Sequence, residues 1–182
     1  MTAIATSPIP AGSTWTLDAV HSTVGFAVKH MIVSTFRGRF EHYDATLVAS
    51  DDGTLRLTGR VAADSIVVKD PDLAAHLQSP DFFDTERHPD ITFSSTLVRT
   101  KGDELIVDGE LTIKGHTRPI EARGTITEPA VTFGDLEKVG IELEAIVDRT
   151  EYGLDWNAPL PKGGFALAND VKLIVELELA RA

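Results

Sequence analysis

The segment Asp170-Val-Lys-Leu-Ile-Val-Glu-Leu-Glu-Leu-Ala180, close to the end of the chain, decides the fold. Apolar side chains recur at every second position, at Val171, Leu173, Val175, Leu177 and Leu179. Charged residues fill most of the positions between them, and Ile174 is the one exception. A period of two residues is that of a β-strand with one face in a core and the other in water. The segment therefore predicts a half-buried strand.

The same alternation recurs along the chain and predicts an antiparallel sheet curled around its apolar side. Eight strands are expected, at about 22–30, 36–49, 54–65, 90–99, 104–114, 117–128, 136–148 and 170–180. Turn residues that tolerate positive φ separate several of them, as at Asp51-Asp52-Gly53, Lys101-Gly102-Asp103 and Lys114-Gly115-His116. The sequence thus predicts an all-β antiparallel barrel.

Three stretches fall outside this pattern. Residues 71–79 predict a short helix, because Asp70 is suited to the N-cap, Pro71 to the first turn, and Leu73, Ala74 and Leu77 to one helical face. Residues 153–169 hold glycines and prolines without alternation and predict a long irregular loop. Residues 1–13 predict a flexible tail, which leaves 14–182 as one barrel domain.

Composition excludes several classes of function. The 182 residues suit one domain, and 28 acidic against 17 basic residues give a formal charge of −11, which opposes nucleic-acid binding. Cysteine is absent, which excludes disulfides and thiolate chemistry. No apolar run reaches the roughly 20 residues of a transmembrane helix, and no signal-peptide pattern begins the chain. A cytoplasmic location is expected.

The inward face of the predicted strands supplies the candidate ligand-binding residues. The apolar lining is expected to include Phe26, Val28, Phe40, Phe93, Leu111 and Leu143, with Trp156 from the irregular loop. The same parity also places Val48, Leu97 and Ser95 inward.

Three cationic or titratable residues, His30, His42 and Arg149, share the inward parity and are candidates for a ligand head group. For the two histidines the alternative is a structural role, with the ring nitrogens bonded to backbone. For Arg149 the alternative is a rim ion pair with Asp81 or Asp84, since buried charges are normally paired.

The sequence offers no catalytic or metal motif. It lacks a G-x-S-x-G elbow, a phosphate-binding G-x-x-x-x-G-K-[ST] loop, a G-x-G-x-x-G turn and an H-E-x-x-H site. No two of the six histidines stand three or four residues apart, as they would in a helical metal site. No catalytic residue, metal or cofactor is predicted, apart from a bound lipid.

An ordered set of short motifs resembles the YceI-like family of polyisoprenoid-binding proteins. These motifs are Asp18-Ala-Val-His21-Ser22-Thr-Val24-Gly-Phe26, Gly38-Arg-Phe40, Asp81-Phe82-Phe83-Asp84, His88-Pro89-Asp-Ile91-Thr-Phe93, Gly109-Glu-Leu111-Thr112-Ile113-Lys-Gly115, and Arg149 with Tyr152-Gly153-Leu154. The resemblance implies an extended, eight-stranded lipocalin-like barrel. It also implies an apolar tunnel for a long isoprenoid, a quinone tail or a fatty-acid derivative, and no catalytic residues.

Three functions remain open from the sequence. The first is a non-enzymatic carrier or store for a hydrophobic small molecule. The second is an enzyme acting on a hydrophobic substrate in the same cavity, with His30, His42 or Arg149 as acid, base or electrostatic stabiliser. The third is a filled structural barrel used for protein interaction. A monomer and a homodimer are both compatible with the sequence.

Overall fold

A computed structural model describes residues 7–182, which form a closed antiparallel barrel. Its strand segments are β1 (Ser13–Leu17), β2 (Thr23–His30), β3 (Ser34–Phe40), β4 (Tyr43–Ala49), β5 (Leu55–Ala62), β6 (Ile66–Val67), β7 (Asp90–Lys101), β8 (Glu104–Ile113), β9 (His116–Ile126), β10 (Ala130–Val131), β11 (Glu137–Asp148) and β12 (Leu167–Arg181). The one α-helix of the described residues, α1, spans Pro71–Gln78.

Eight long strands make up the barrel. Two of the eight are interrupted, so that each of these two consists of two segments. β1 and β2 lie end to end along β12, with Leu17 opposite Leu179 and Thr23 opposite Glu176. β3 and β4 also lie end to end and form the neighbouring strand, since β3 pairs with β2 and β4 pairs with β1. The pairing of β11 with β12, from Lys138–Ala180 to Asp148–Asp170, closes the ring. The predicted eight-stranded antiparallel barrel is confirmed.

The strand predicted over 36–49 is broken at Glu41-His42, and the break reverses the inward parity. Phe40 is buried at the end of β3, but Leu47 and Ala49 are the buried residues of β4. An extra residue between two paired segments exchanges the faces of the sheet beyond it. The prediction that His42 and Val48 point inward is therefore wrong: His42 is exposed.

A second irregularity lies in β7. The register against β8 shifts between Ser95 and Leu97. Beyond this point Leu97 is exposed, and Val98 packs on the core instead. The predicted inward position of Leu97 is wrong for the same reason, while the Ser95 hydroxyl accepts a hydrogen bond of 2.9 Å from the Leu57 amide.

The predicted helix is confirmed and begins as its sequence indicates. The Asp70 side chain accepts hydrogen bonds from the amides of Asp72 and Leu73, and Pro71 occupies the first turn. Leu77 is buried against the barrel. α1 therefore covers one end of the barrel.

The irregular segment is shorter than predicted. β12 begins at Leu167 rather than at residue 170, so the irregular stretch runs from Gly153 to Ala166. It follows a 3-10 turn over Arg149–Tyr152, which ends where Gly153 takes a φ of 74°.

The predicted tail falls partly on residues 1–6, which lie outside the described residues. Of the remainder, Ile9 is buried in the core and Ser13 begins β1. The last part of the predicted tail thus belongs to the barrel.

The barrel contains two apolar cores, which follow one another along its length. One surrounds Trp15, which is fully buried, and includes Leu47, Leu105 and Leu179. The other lies at the end covered by α1 and surrounds Tyr152. No helix within residues 7–182 has the length and apolar character needed to cross a bilayer.

Candidate ligand-binding cavity

An apolar cavity of about 580 Å³ lies inside the barrel and reaches from the α1 end to Leu143 and Leu177 of the core around Trp15. Volumes of this order are typical of small-molecule sites. The side chains around it include all seven residues of the predicted apolar lining: Phe26, Val28, Phe40, Phe93, Leu111, Leu143 and Trp156. The inward parity of β2, β3, β7, β8 and β11 therefore converges on one cavity, and the barrel is hollow at this end.

Glycines on neighbouring strands leave room for two of the lining phenylalanines. Phe26 faces Gly38 across the β2–β3 pair, and a Cβ on Gly38 would lie 2.5 Å from the Phe26 Cζ atom. The Phe93 ring lies over Gly109 of β8 in the same way. Each ring lies against the barrel wall where a side chain would otherwise stand. The glycines thereby keep the lumen open.

Arg149 is 6% exposed and is held by backbone carbonyls rather than by a carboxylate. Its Nε donates to the Ala168 oxygen at 2.9 Å, and its Nη1 donates to the Leu154 oxygen at 2.5 Å and to the Trp156 oxygen at 2.9 Å. No described Asp or Glu lies within 4.0 Å of the guanidinium. The expected ion pair with Asp81 or Asp84 is therefore wrong, and Arg149 clamps the irregular segment to the barrel.

Two polar atoms in the cavity wall have no hydrogen-bond partner among the described residues. They are the Arg149 Nη2 and the Tyr152 Oη, and both are buried. Burial lowers the pKa of Arg149, and the charges of Asp148 and Asp155 oppose this effect. Burial is also the main cause that raises the pKa of Tyr152 to about 12. A buried polar atom without a partner is costly, so each of these two atoms is a candidate partner for a ligand's polar group.

The histidines that line the cavity are not the two that the sequence predicted. His30 lines the cavity, but its ring makes no hydrogen bond to a carboxylate of residues 7–182. His76, which the sequence reasoning missed, also lines the cavity, and its Nε2 lies 3.0 Å from Asp81 Oδ2. The Trp156 ring packs edge-on against the His76 ring at 5.0 Å. The helical spacing of Leu73, His76 and Leu77 in α1 would have revealed this position.

The acidic groups nearest to a metal-binding arrangement lie at the other end of the barrel. Asp18, His21 and Glu178 converge there, but the Lys138 Nζ lies 2.9 Å from Asp18 and 2.6 Å from Glu178. Hydrogen bonds from His21 and Lys138 hold the pKa of Asp18 far below its usual range. The Lys138 ammonium group pairs with both carboxylates and His21 pairs with Asp18, so the cluster is a surface ion-pair network.

The model of the YceI-like domain matches residues 15–179. The chain belongs to the YceI-like family. Among curated relatives, a UPF0312 protein of Staphylococcus aureus (strain USA300) is 33% identical over 172 residues, which cover 91% of this chain and 96% of the relative.

Solved structures with the same fold come from several bacteria. The Campylobacter jejuni YCEI protein is 26% identical, with a TM-score of 0.69, and the match covers 90% of this chain and 95% of that protein. BcnA of Burkholderia cenocepacia gives a TM-score of 0.76 at 19% identity, with 89% and 98% covered. A polyisoprenoid-binding domain from Saccharophagus degradans gives 0.66 at 12% identity, with 92% and 98% covered. The last two similarities concern the fold alone.

Proposed function

We propose that this YceI-like protein is a non-enzymatic carrier or store for one long amphiphile, an isoprenoid or a similar single-chain lipid. The observation that supports this most directly is the cavity, whose wall is apolar except at a few points. The Saccharophagus degradans domain of the same fold is described as polyisoprenoid-binding. The chain of the ligand fills the lumen between Phe26 and Phe93, and its head lies at Arg149 and Tyr152.

Hydrocarbon burial supplies the affinity in this proposal. Removing apolar ligand surface from water contributes roughly 25 cal/mol per Å². A chain that buries about 500 Å² would thus gain on the order of 12 kcal/mol before the cost of ordering it, so few polar contacts are needed. The chain therefore provides affinity, and the head group fixes the direction in which it enters.

The unpartnered atoms restrict the chemistry of the head group. The Arg149 Nη2 and the neutral Tyr152 hydroxyl are both donors, so the complementary ligand atom is an oxygen acceptor. The guanidinium carries a charge that no described carboxylate neutralises at hydrogen-bond distance, which favours an anionic head such as a diphosphate or a carboxylate. A quinone or alcohol would satisfy the same donors with weaker bonds.

Native mass spectrometry of protein purified without detergent tests this proposal. We expect a bound mass in the range of an isoprenoid or fatty-acid derivative. Where the purified protein is empty, titration with a fluorescent prenyl diphosphate and a prenyl alcohol should give saturable binding, tighter for the diphosphate. No bound mass together with no uptake of either probe would refute the carrier.

An enzyme in the same cavity is the second candidate, and the His76–Asp81 pair is the observation that favours it. A histidine oriented by a carboxylate is the geometry of a general base. In that case the bound mass should change during incubation, and His76→Ala should stop the change. The carrier predicts a constant ligand mass in both proteins. Cytoplasmic location and a homodimeric state stay predictions.

A further inference from the structure

The turn between β2 and β3 exposes three consecutive apolar residues. Met31 is 41% exposed, Ile32 is 66% exposed and Val33 is 85% exposed. Phe165 of the irregular segment, 59% exposed, belongs to the same surface, because Met31 donates its amide hydrogen to the Ala166 oxygen. We call Met31, Ile32, Val33 and Phe165 the portal tip. Burial within the barrel does not account for the apolar character of these residues.

Backbone geometry does not account for it either. Met31 and Ile32 have φ values of 51° and 68°, in the left-handed region. Glycine and asparagine adopt this region readily, whereas a β-branched residue such as Ile32 does so at a cost. The turn thus keeps exposed aliphatic side chains at positions where its own conformation favours Asn or Gly. A strained residue of this kind points to a role outside the fold.

The portal tip adjoins the cavity. Met31 is partly exposed and also lines the cavity, as do its neighbours His30 and Ser34. On the other side, Ala166 lines the cavity next to Phe165. A hydrophobic ligand that enters here passes directly over the portal tip.

The charges beside the portal tip differ from those of the whole chain. Segments 29–34 and 156–166, which include the portal tip, contain Lys29 and Lys162 but neither Asp nor Glu, although the chain carries a formal charge of −11. Lys29 and Lys162 are exposed, and neither makes an ion pair with a described residue. At physiological ionic strength the interaction between charges more than about 8 Å apart is strongly screened. An anionic surface in contact with the portal tip is therefore attracted by these nearby cations more than it is repelled by distant acidic residues.

We propose that the portal tip docks on a phospholipid bilayer that contains anionic lipids. Exposed aliphatic and aromatic side chains enter the interface, and the flanking cations contact lipid phosphates. The mouth of the cavity then faces the membrane, so that a lipid can pass between the two without crossing water. This inference goes beyond the carrier proposal, because docking is measurable without any ligand.

Co-sedimentation with vesicles of equal parts phosphatidylcholine and phosphatidylglycerol tests the proposal. The variant Ile32→Asn/Val33→Ser removes the two most exposed aliphatic side chains of the portal tip and places at position 32 a residue that tolerates positive φ. We expect the wild type to bind, and the variant to bind at least about tenfold more weakly with an equal or higher melting temperature. A merely structural role for the tip would instead lower the melting temperature.

The matched control lies at the opposite end of the barrel. Val131 and Phe133 are also exposed, but they precede β11, whose first residues pair with the end of β12, far from the cavity. The variant Val131→Ser/Phe133→Ser should bind vesicles as the wild type does. Equal loss of binding in both double variants would show general stickiness and overturn the proposal, as would absence of binding by the wild type.

Two further measurements keep the proposal testable. Lys29→Glu/Lys162→Glu leaves the turn unchanged and should weaken binding to the anionic vesicles about tenfold, with little effect on thermal unfolding; unchanged binding would overturn the proposal. If the wild type forms a dimer in gel filtration that Ile32→Asn/Val33→Ser dissociates, and neither protein binds vesicles, the tip joins two copies of the chain and the bilayer proposal fails. Uptake of the prenyl probes from solution is measured separately and tests only the carrier.

Discussion

Replacing Arg149 with glutamine separates the two tasks that the structure gives this residue. The side chain makes three hydrogen bonds to carbonyls of residues 154, 156 and 168, and its Nη2 is buried without a partner among the described residues. Glutamine is shorter and can replace at most one of the three. The variant therefore loses most of the clamp and the whole of the positive charge.

The expected loss of stability follows from these contacts. A hydrogen bond to a charged group contributes roughly 1.5–3 kcal/mol, and relief from burying an unneutralised charge offsets part of the total. We expect the free energy of unfolding of Arg149→Gln to fall by about 2–4 kcal/mol. For a domain of this length that lowers the melting temperature by roughly 5–15 °C.

Binding of two probes completes the experiment. If Arg149 holds the head group, the variant should lose more affinity for a prenyl diphosphate than for a prenyl alcohol of equal chain length. Arg149→Lys, which keeps the charge but not the planar donors, should retain part of that preference. A loss of stability below about 1 kcal/mol would refute the clamp, and an equal loss for both probes would refute the head-group role.

Three other substitutions test the cavity, and Leu105→Trp is the control for the first of them. Leu111→Trp should block uptake of a fluorescent isoprenoid with little loss of stability, whereas Leu105→Trp, on the same face of β8 but in the filled core around Trp15, should destabilise by about 1–3 kcal/mol. Tyr152→Phe should leave stability at neutral pH unchanged or higher, because it removes an unpartnered hydroxyl, yet weaken binding. Gly38→Ala should displace the Phe26 ring into the lumen and reduce uptake of long chains more than of short ones.

Tyr152 also predicts a pH dependence with a definite sign. Its pKa is about 12 in the folded protein and about 10 in an unfolded chain, so the unfolded state releases the proton first. Folding stability should fall as the pH rises from 10 to 12, by about 2–3 kcal/mol from this group. Denaturant unfolding of the wild type and of Tyr152→Phe over this range isolates the contribution, and identical pH profiles would contradict it.

For the Leu111, Leu105 and Gly38 variants, a different result would contradict the expectation. Normal uptake by Leu111→Trp would mean that the ligand does not enter the lumen. Equal stability losses in the Leu111 and Leu105 variants would mean that both ends are equally filled. An effect of Gly38→Ala on unfolding alone would mean that the Phe26 ring has no room to move.

The sequence predicted the strands well, because alternation is a direct record of which face is buried. It predicted the lining residues in the strands that keep one register, as in β11, where Leu143 and Val147 share the inward face. It failed where an irregularity adds a residue. Alternation on both sides of such a point looks regular, so His42 and Leu97 received the wrong face.

The polar part of the site was harder to predict. The sequence indicated that Arg149 is buried, but its partners are backbone oxygens of an irregular segment, and such oxygens have no signature in the sequence. The free Nη2 and Tyr152 hydroxyl are defined by what does not reach them. Only coordinates can establish that kind of absence.

The filled part of the core around Trp15 explains how the barrel tolerates its cavity. A void forfeits the dispersion contacts of its lining, so a hollow barrel needs compensating stability elsewhere. The core around Trp15 provides it, since this side chain and Leu179 are wholly buried and lie outside the cavity. A ligand that fills the void binds only the folded protein and must therefore raise its melting temperature with concentration. Substitutions around the cavity should change this ligand-dependent increment, whereas substitutions around Trp15 should change the stability of the empty protein.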